Sequence, residues 1–355
     1  MLVGAESDDQ VALVSFVPCA TGIAPPSCGA RVIRTYEVGL YPADIEGPHG
    51  VVAAPDGRSF FVTIAHGRPN GLLQRVDLAS GRLLGQVRLG MFPATVDIAP
   101  SGALVYAINF NFEDPAMQPS SLSVVDPETM TEVARPATCR MPHGSRLNPA
   151  GTRHYSGCMM DDLLVEIDAT GFEVTRLFSV AAGHEGPVER PLPADLASHE
   201  GATQGGHPSA GSNTCSPTWA QPSADGTTVY VACNRSNEIV EVDVRSWRMT
   251  RRWPTPKGPY NLALTPDGRL LVATQKAEGS ATIWRLDDAT LLAQIPGTRK
   301  VASGVAVSRD SRYAFMTLEG VGGEPGTVDV LDLRSLTKVA SVDLGKQAGG
   351  IALLP

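Results

Sequence analysis

Residues 258–275 read GPYNLALTPDGRLLVATQ, and this stretch decides the fold. Two short apolar runs flank Pro266-Asp267-Gly268. Pro presets φ for a turn and Gly tolerates positive φ, so the segment predicts two antiparallel strands joined by a tight turn. The same punctuation recurs at Pro55-Asp56-Gly57, Pro100-Ser101-Gly102, Pro149-Ala150-Gly151, Ala224-Asp225-Gly226 and Arg309-Asp310-Ser311. Six residues before each triplet a short apolar strand begins, at His49, Ala94, His143, Thr218, Tyr260 and Ser303. A second strand follows each turn, as in SFFVTIA, LVYAIN and TVYVAC. A third ends in an apolar residue and Asp: Val76-Asp77, Val125-Asp126, Ile167-Asp168, Val242-Asp243, Leu286-Asp287 and Leu331-Asp332. An Asp there can cap the turn into a fourth strand.

The strand starts are spaced by 45, 49, 75, 42 and 43 residues. Four strands in about 40–45 residues make one blade of a β-propeller. The interval of 75 marks an insertion, residues 181–214, between the third and fourth internal blades. The last blade is expected to be shared between the two ends of the sequence. GGIALLP (349–355) reads as a first strand; MLVGAES, QVALVSFVP and RVIRTYEVG read as strands two, three and four. Six internal blades and one shared blade give an all-β, seven-bladed propeller as one domain over residues 1–355, with no open sheet edge.

Composition agrees. Charged residues make up 19% of the chain, 36 Gly and 28 Pro break it into short segments, and long helical periodicity is missing. The net charge of −8 argues against a nucleic-acid partner or an anionic membrane. No apolar run approaches the roughly 18 residues of a membrane span. A monomer is expected.

The segment VYVACNRSNEIVEVD (Val229–Asp243), together with GPYNLALTPDGRLLVATQ and VYAIN, resembles the repeat of YVTN-type seven-bladed propellers. The resemblance covers the chain except residues 181–214. It implies the fold and leaves the function open, because such propellers host binding proteins, surface proteins and relatives of enzymes. The WD dipeptide of commoner propellers is absent, and Pro18 replaces the turn Asp in the N-terminal blade.

Blade alignment gives the six cysteines coordinates. Cys158 and Cys233 each lie three residues after the Tyr of a second strand, where the family pattern usually has Asn and where Asn109 keeps it. Cys139 and Cys215 each lie just before a first strand of the same two blades. These positions meet on one face of the disc, so Cys139–Cys158 and Cys215–Cys233 are expected disulfides. Cys19 and Cys28 bracket a Gly/Pro loop and form the third expected pair. The C-x-x-C spacings of zinc sites do not occur. Disulfides imply the periplasm or the extracellular space.

Six of the seven histidines are expected at one channel mouth. His49 and His143 share a blade coordinate, each in a PHG tripeptide, and Tyr260 occupies it in another blade. His66 lies just past a second strand, and the insertion carries His184, His199 and His207 with Glu185, Glu189 and Glu200. His154 alone sits elsewhere, within a second strand. Such a cluster reads as a site for a small ligand or a transition metal, zinc or copper, with all six histidines as candidate ligands. Met141, Met159 and Met160 would favour copper. A metal-dependent lyase, lactonase-like hydrolase or oxidase is the alternative, with Tyr260, Glu185 or Glu200 as acid/base candidates. A protein-interaction scaffold is the third reading. There is no G-x-S-x-G elbow and no Walker loop.

Overall fold

In the stretch quoted above, Pro259–Leu264 and Leu270–Gln275 form the first two strands of a sheet, and Gly268 takes a φ of +70° in the turn between them. Ser280–Arg285 and Thr290–Pro296 complete that sheet in order. The computed structural model describes residues 1–19, 28–41, 44–66, 70–111, 120–189 and 213–355, and among them this unit is repeated around a ring as seven antiparallel sheets. The inner strands are Pro48–Ala53, Pro93–Ile98, Pro142–Leu147, Pro217–Pro222, Pro259–Leu264, Val301–Val307 and Ala348–Ala352, here called blades 1 to 7. Blade 7 closes the ring as expected. Ala348–Ala352 pairs with Leu2–Ala5, with Ile351 opposite Val3, and Gln10–Val17 and Gly29–Glu37 follow. Blade 3 gains a short fifth strand, Gly186–Pro187, where the insertion leaves the disc.

The core is divided among the blade interfaces, because each sheet buries both faces against its neighbours. Tyr106, Ile108 and Leu122 of blade 2 pack on Cys158, Val165 and Ile167 of blade 3. Equivalent clusters fill the other junctions, including Val3, Ala12 and Val14 of blade 7 against Phe315, Val328 and Val330 of blade 6. Buried polar tips reach main chain across the gaps: the Tyr106 hydroxyl donates to the Ala169 carbonyl at 2.8 Å, and Trp247 Nε1 to Leu177 at 3.0 Å.

The Asp residues at the ends of the third strands act as expected in five blades. Asp77 accepts from the Ser80 amide, Asp126 from Glu128, Asp168 from Thr170, Asp243 from Ser246 and Asp332 from Arg334. In blade 5 the role moves one residue: Asp288, not Asp287, accepts from the Thr290 amide, and Asp288 also holds Arg285. All three expected disulfides are formed, with Cα–Cα separations of 5.0 Å for Cys19–Cys28, 6.1 Å for Cys139–Cys158 and 4.5 Å for Cys215–Cys233.

Candidate functional site at the channel mouth

In every blade the register between inner and second strand slips near the start of the inner strand. A bulge of this kind re-aims a side chain and frees main-chain groups from the ladder. The bulged residues include His49-Gly50, His143-Gly144, Thr218, Tyr260-Asn261 and Ser303-Gly304. In blades 2 to 7 a carbonyl at the bulge turns to the preceding blade and accepts a side-chain bond from it. His49 Nδ1 donates to Ala94 at 2.9 Å, Thr95 Oγ1 to His143, and His143 Nδ1 to Thr218 at 3.0 Å. Thr218 Oγ1 donates to Tyr260 at 2.9 Å, Thr274 Oγ1 to Ser303 at 2.7 Å and Thr317 Oγ1 to Gly349 at 2.6 Å. These bonds link six successive junctions. At the seventh, Glu6 of blade 7 holds His66 of blade 1 at 2.8 Å.

The ring also fixes the histidine tautomers. A carbonyl only accepts, so Nδ1 carries the proton in both His49 and His143. Burial, seconded by the charge of His49, pushes His143 down to about 3, so it is neutral and its Nε2 is a lone pair. That lone pair accepts from the Tyr260 hydroxyl at 3.1 Å. The His49 and His143 rings stand edge to face with centroids 5.8 Å apart. His49 is only half-buried, and its Nε2 has no hydrogen-bond partner among the described residues.

Around these rings the mouth divides into two sectors. One is apolar. Phe92 stands edge-on to both His49 and His66, at 5.5 and 5.0 Å, and Phe110 packs on His143 at 4.9 Å. Met141 is buried with the two phenylalanines, and Met91, Met159 and Met160 pack against them. The other sector is charged. Lys276 lies 4.3 Å above the Tyr260 ring and pairs with Glu319 at 2.8 Å. Burial would lower the Lys276 ammonium, but Tyr260 and Glu319 together raise it. Burial likewise would raise Glu6, yet the charges that His49 and His66 can carry hold its carboxyl below the usual range.

The expected site residues therefore part company. His49, His143 and Tyr260 converge at the mouth, and His66 joins its edge through Glu6 and Phe92. Glu185 is held at 2.8 Å by Arg252, on the outermost strand of blade 4, and His184 lies in the exposed turn beside it. His199, Glu200 and His207 fall outside the described residues. His154 is fully buried and stacked on Tyr106, away from the mouth. Among the described residues no group of three or more His, Cys, Asp or Glu could hold a metal ion.

Sequence reasoning missed Glu6, Phe110, Lys276 and Glu319. A signal for them existed. They occupy one blade coordinate, the residue after the Asn109, Cys158 and Cys233 position at the end of the second strand. Phe92 had no such signal, because it lies in the connection before an inner strand.

No family model matches the chain, and no curated protein does. Solved structures are similar over most of its length, among them the Kuenenia stuttgartiensis hydrazine synthase. It has a TM-score of 0.67 and 18% identity, covering 88% of this chain and 91% of that one. At that identity the likeness carries the propeller fold alone.

Proposed function

We propose that the protein is a periplasmic or extracellular propeller that binds one small amphipathic molecule at the channel mouth. The observation that carries the reading is the convergence of His49 and His143 from different blades, each Nδ1 held by a blade-to-blade bond and the His49 Nε2 left open. Concave sites with an apolar wall and a few convergent polar groups are the usual form of small-molecule pockets. Here the Phe92, Phe110 and Met141 side would take the apolar body of the ligand. His49, Tyr260 and the Lys276–Glu319 pair would take its polar end. Three disulfides support the oxidising compartment, and no helix among the described residues is long and apolar enough to cross a membrane.

A transition metal is the second reading. The open Nε2 of His49 favours it, since a neutral imidazole nitrogen is the common ligand. Metal analysis of the purified protein separates the two: stoichiometric zinc or copper supports the second reading and none supports the first. The shared test is titration of the His49→Ala/His143→Ala variant with whatever ligand or metal the parent retains. Lost binding in a folded variant supports the mouth as the site; undiminished binding removes it and leaves the disc face as a docking scaffold.

A further inference from the structure

Blade 7 departs from the other six where its third strand turns into its fourth. After the register slip the ladder runs for at most two residue pairs in blades 1 to 6 and then turns. In blade 7 it runs for four, from Val14 opposite Val32 to Val17 opposite Gly29. A ribbon therefore continues past the other turns, on the face away from the mouth. Among the described residues no Asp caps it, and Cys19–Cys28 ties its two strands just beyond the last pair. The three disulfides differ in their surroundings. Cys139 and Cys158 are 3% and 0% exposed, in the core between blades 2 and 3. Cys215 and Cys233 are both 0% exposed, in the core between blades 3 and 4. In the ribbon only Cys28 is buried, and Cys19 is exposed. Next to Cys19, Pro18 lines a groove with about 1220 Å³ of empty space including what opens to solvent, shared with Phe16, Ile33 and Tyr313. Thiol–disulfide exchange requires a thiolate to reach one sulfur of the bond, so access selects which disulfide reacts.

We infer that Cys19–Cys28 is the exchange site of this chain for a dithiol reductant, and that opening it frees the ribbon while the disc stays closed. A thiolate of the reductant attacks the Cys19 sulfur, the S–S bond breaks, and Cys28 leaves as a thiolate. The second thiol of the reductant loses its proton and attacks the mixed disulfide, and Cys19 leaves as the second thiolate. The reductant departs as a disulfide, having given the protein two electrons, and both cysteines take up protons. The root of the ribbon does not rest on the bond. Phe16 stands edge-on to Tyr313 and Phe315 of blade 6, at 5.0 and 6.0 Å, and the ladder from Gln10 to Leu13 lies before the slip. The two blade disulfides become accessible only when a packed junction opens, which is rarer than a local movement at the surface. This site lies on the opposite face from the histidine mouth and does not depend on it.

The test is reduction of the full, folded chain with dithiothreitol, followed by timed alkylation and peptide mapping. Cys19 and Cys28 should be labelled together, about tenfold or more faster than the other four cysteines. Circular dichroism of the sample labelled only at these two should match that of the parent. Labelling of the blade cysteines at a similar rate overturns the inference. So does a chain in which Cys19 and Cys28 stay unlabelled until the fold is lost. Loss of the β-sheet signal on labelling Cys19 and Cys28 alone also overturns it, because the bond would then hold the disc and not the ribbon.

Discussion

Replacing Gly144 by Ala tests whether the bulges set the spacing of the ring. An added Cβ would stand 2.2 Å from the Thr218 carbonyl oxygen and 2.7 Å from the Trp219 Cα, both main-chain atoms of the next blade. Neither can swing aside, so the inner strands of blades 3 and 4 must part by most of an ångström. Overpacking of this kind costs about 1–3 kcal/mol. Parting the strands also stretches the His143–Thr218 bond, now 3.0 Å, for roughly 1 kcal/mol more. A loss of about 3 kcal/mol lowers the melting midpoint of a chain this size by roughly 4 °C. The control lies on the same collar. At Gly349 the nearest atom to an added Cβ is the Gln347 oxygen at 4.0 Å, so Gly349→Ala should change stability by less than about 0.5 kcal/mol. Scanning calorimetry of the two variants and the parent decides the matter. Equal midpoints for Gly144→Ala and Gly349→Ala would refute the close approach of the inner strands.

Acid should weaken the fold through its buried histidines. Burial holds His143 and His154 down to about 3, whereas histidines of the unfolded chain protonate at about 6.5. Stability is therefore full above that range and falls as pH drops toward 3, at up to about 2.7 kcal/mol per pH unit for the pair. The depressed Glu6 carboxyl adds to the loss only in the carboxylate range. Urea midpoints between pH 7.5 and 4.5 would show it, and His143→Asn should halve the slope. Removing either blade disulfide, with sequence separations of 19 and 18, should cost about 3 kcal/mol on the chain-entropy model, read as a lower melting midpoint of the Cys139→Ser/Cys158→Ser variant. Deleting residues 348–355 strips blade 7 of its inner strand and bares the Leu2–Ala5 edge; soluble yield and melting midpoint should both fall sharply.

The ring was legible in the sequence because its signals are local and repeated. Turn triplets such as Pro266-Asp267-Gly268 and the Asp at each third-strand end recur at blade spacing, so position along the chain becomes position in the disc. That is why Cys139 could be matched to Cys158 across a blade, and His49 to His143 across the ring. The site was legible only where it used the same coordinate. Glu185 carried the right chemistry in the right loop, but Arg252 claims it at the rim, and a salt bridge between blades leaves no mark in one sequence. The bulges were hidden for a related reason. A register slip alters pairing, not the alternation of residue types, and it decides that His143 faces Tyr260 and not the ladder.

The ring of blade-to-blade bonds divides the mouth into two kinds of position. His49, Thr95, His143 and Thr218 hold the next blade with their side chains, so changing any of them alters affinity and closure at once. Ser303 and Gly349 contribute only a main-chain carbonyl to the ring while their residues line the channel. An attempt to re-cut the pocket for a different guest has its freedom there, in blades 6 and 7. The opposite wall, blades 1 to 4, is at once binding surface and clasp, and can be redesigned only by supplying a new clasp.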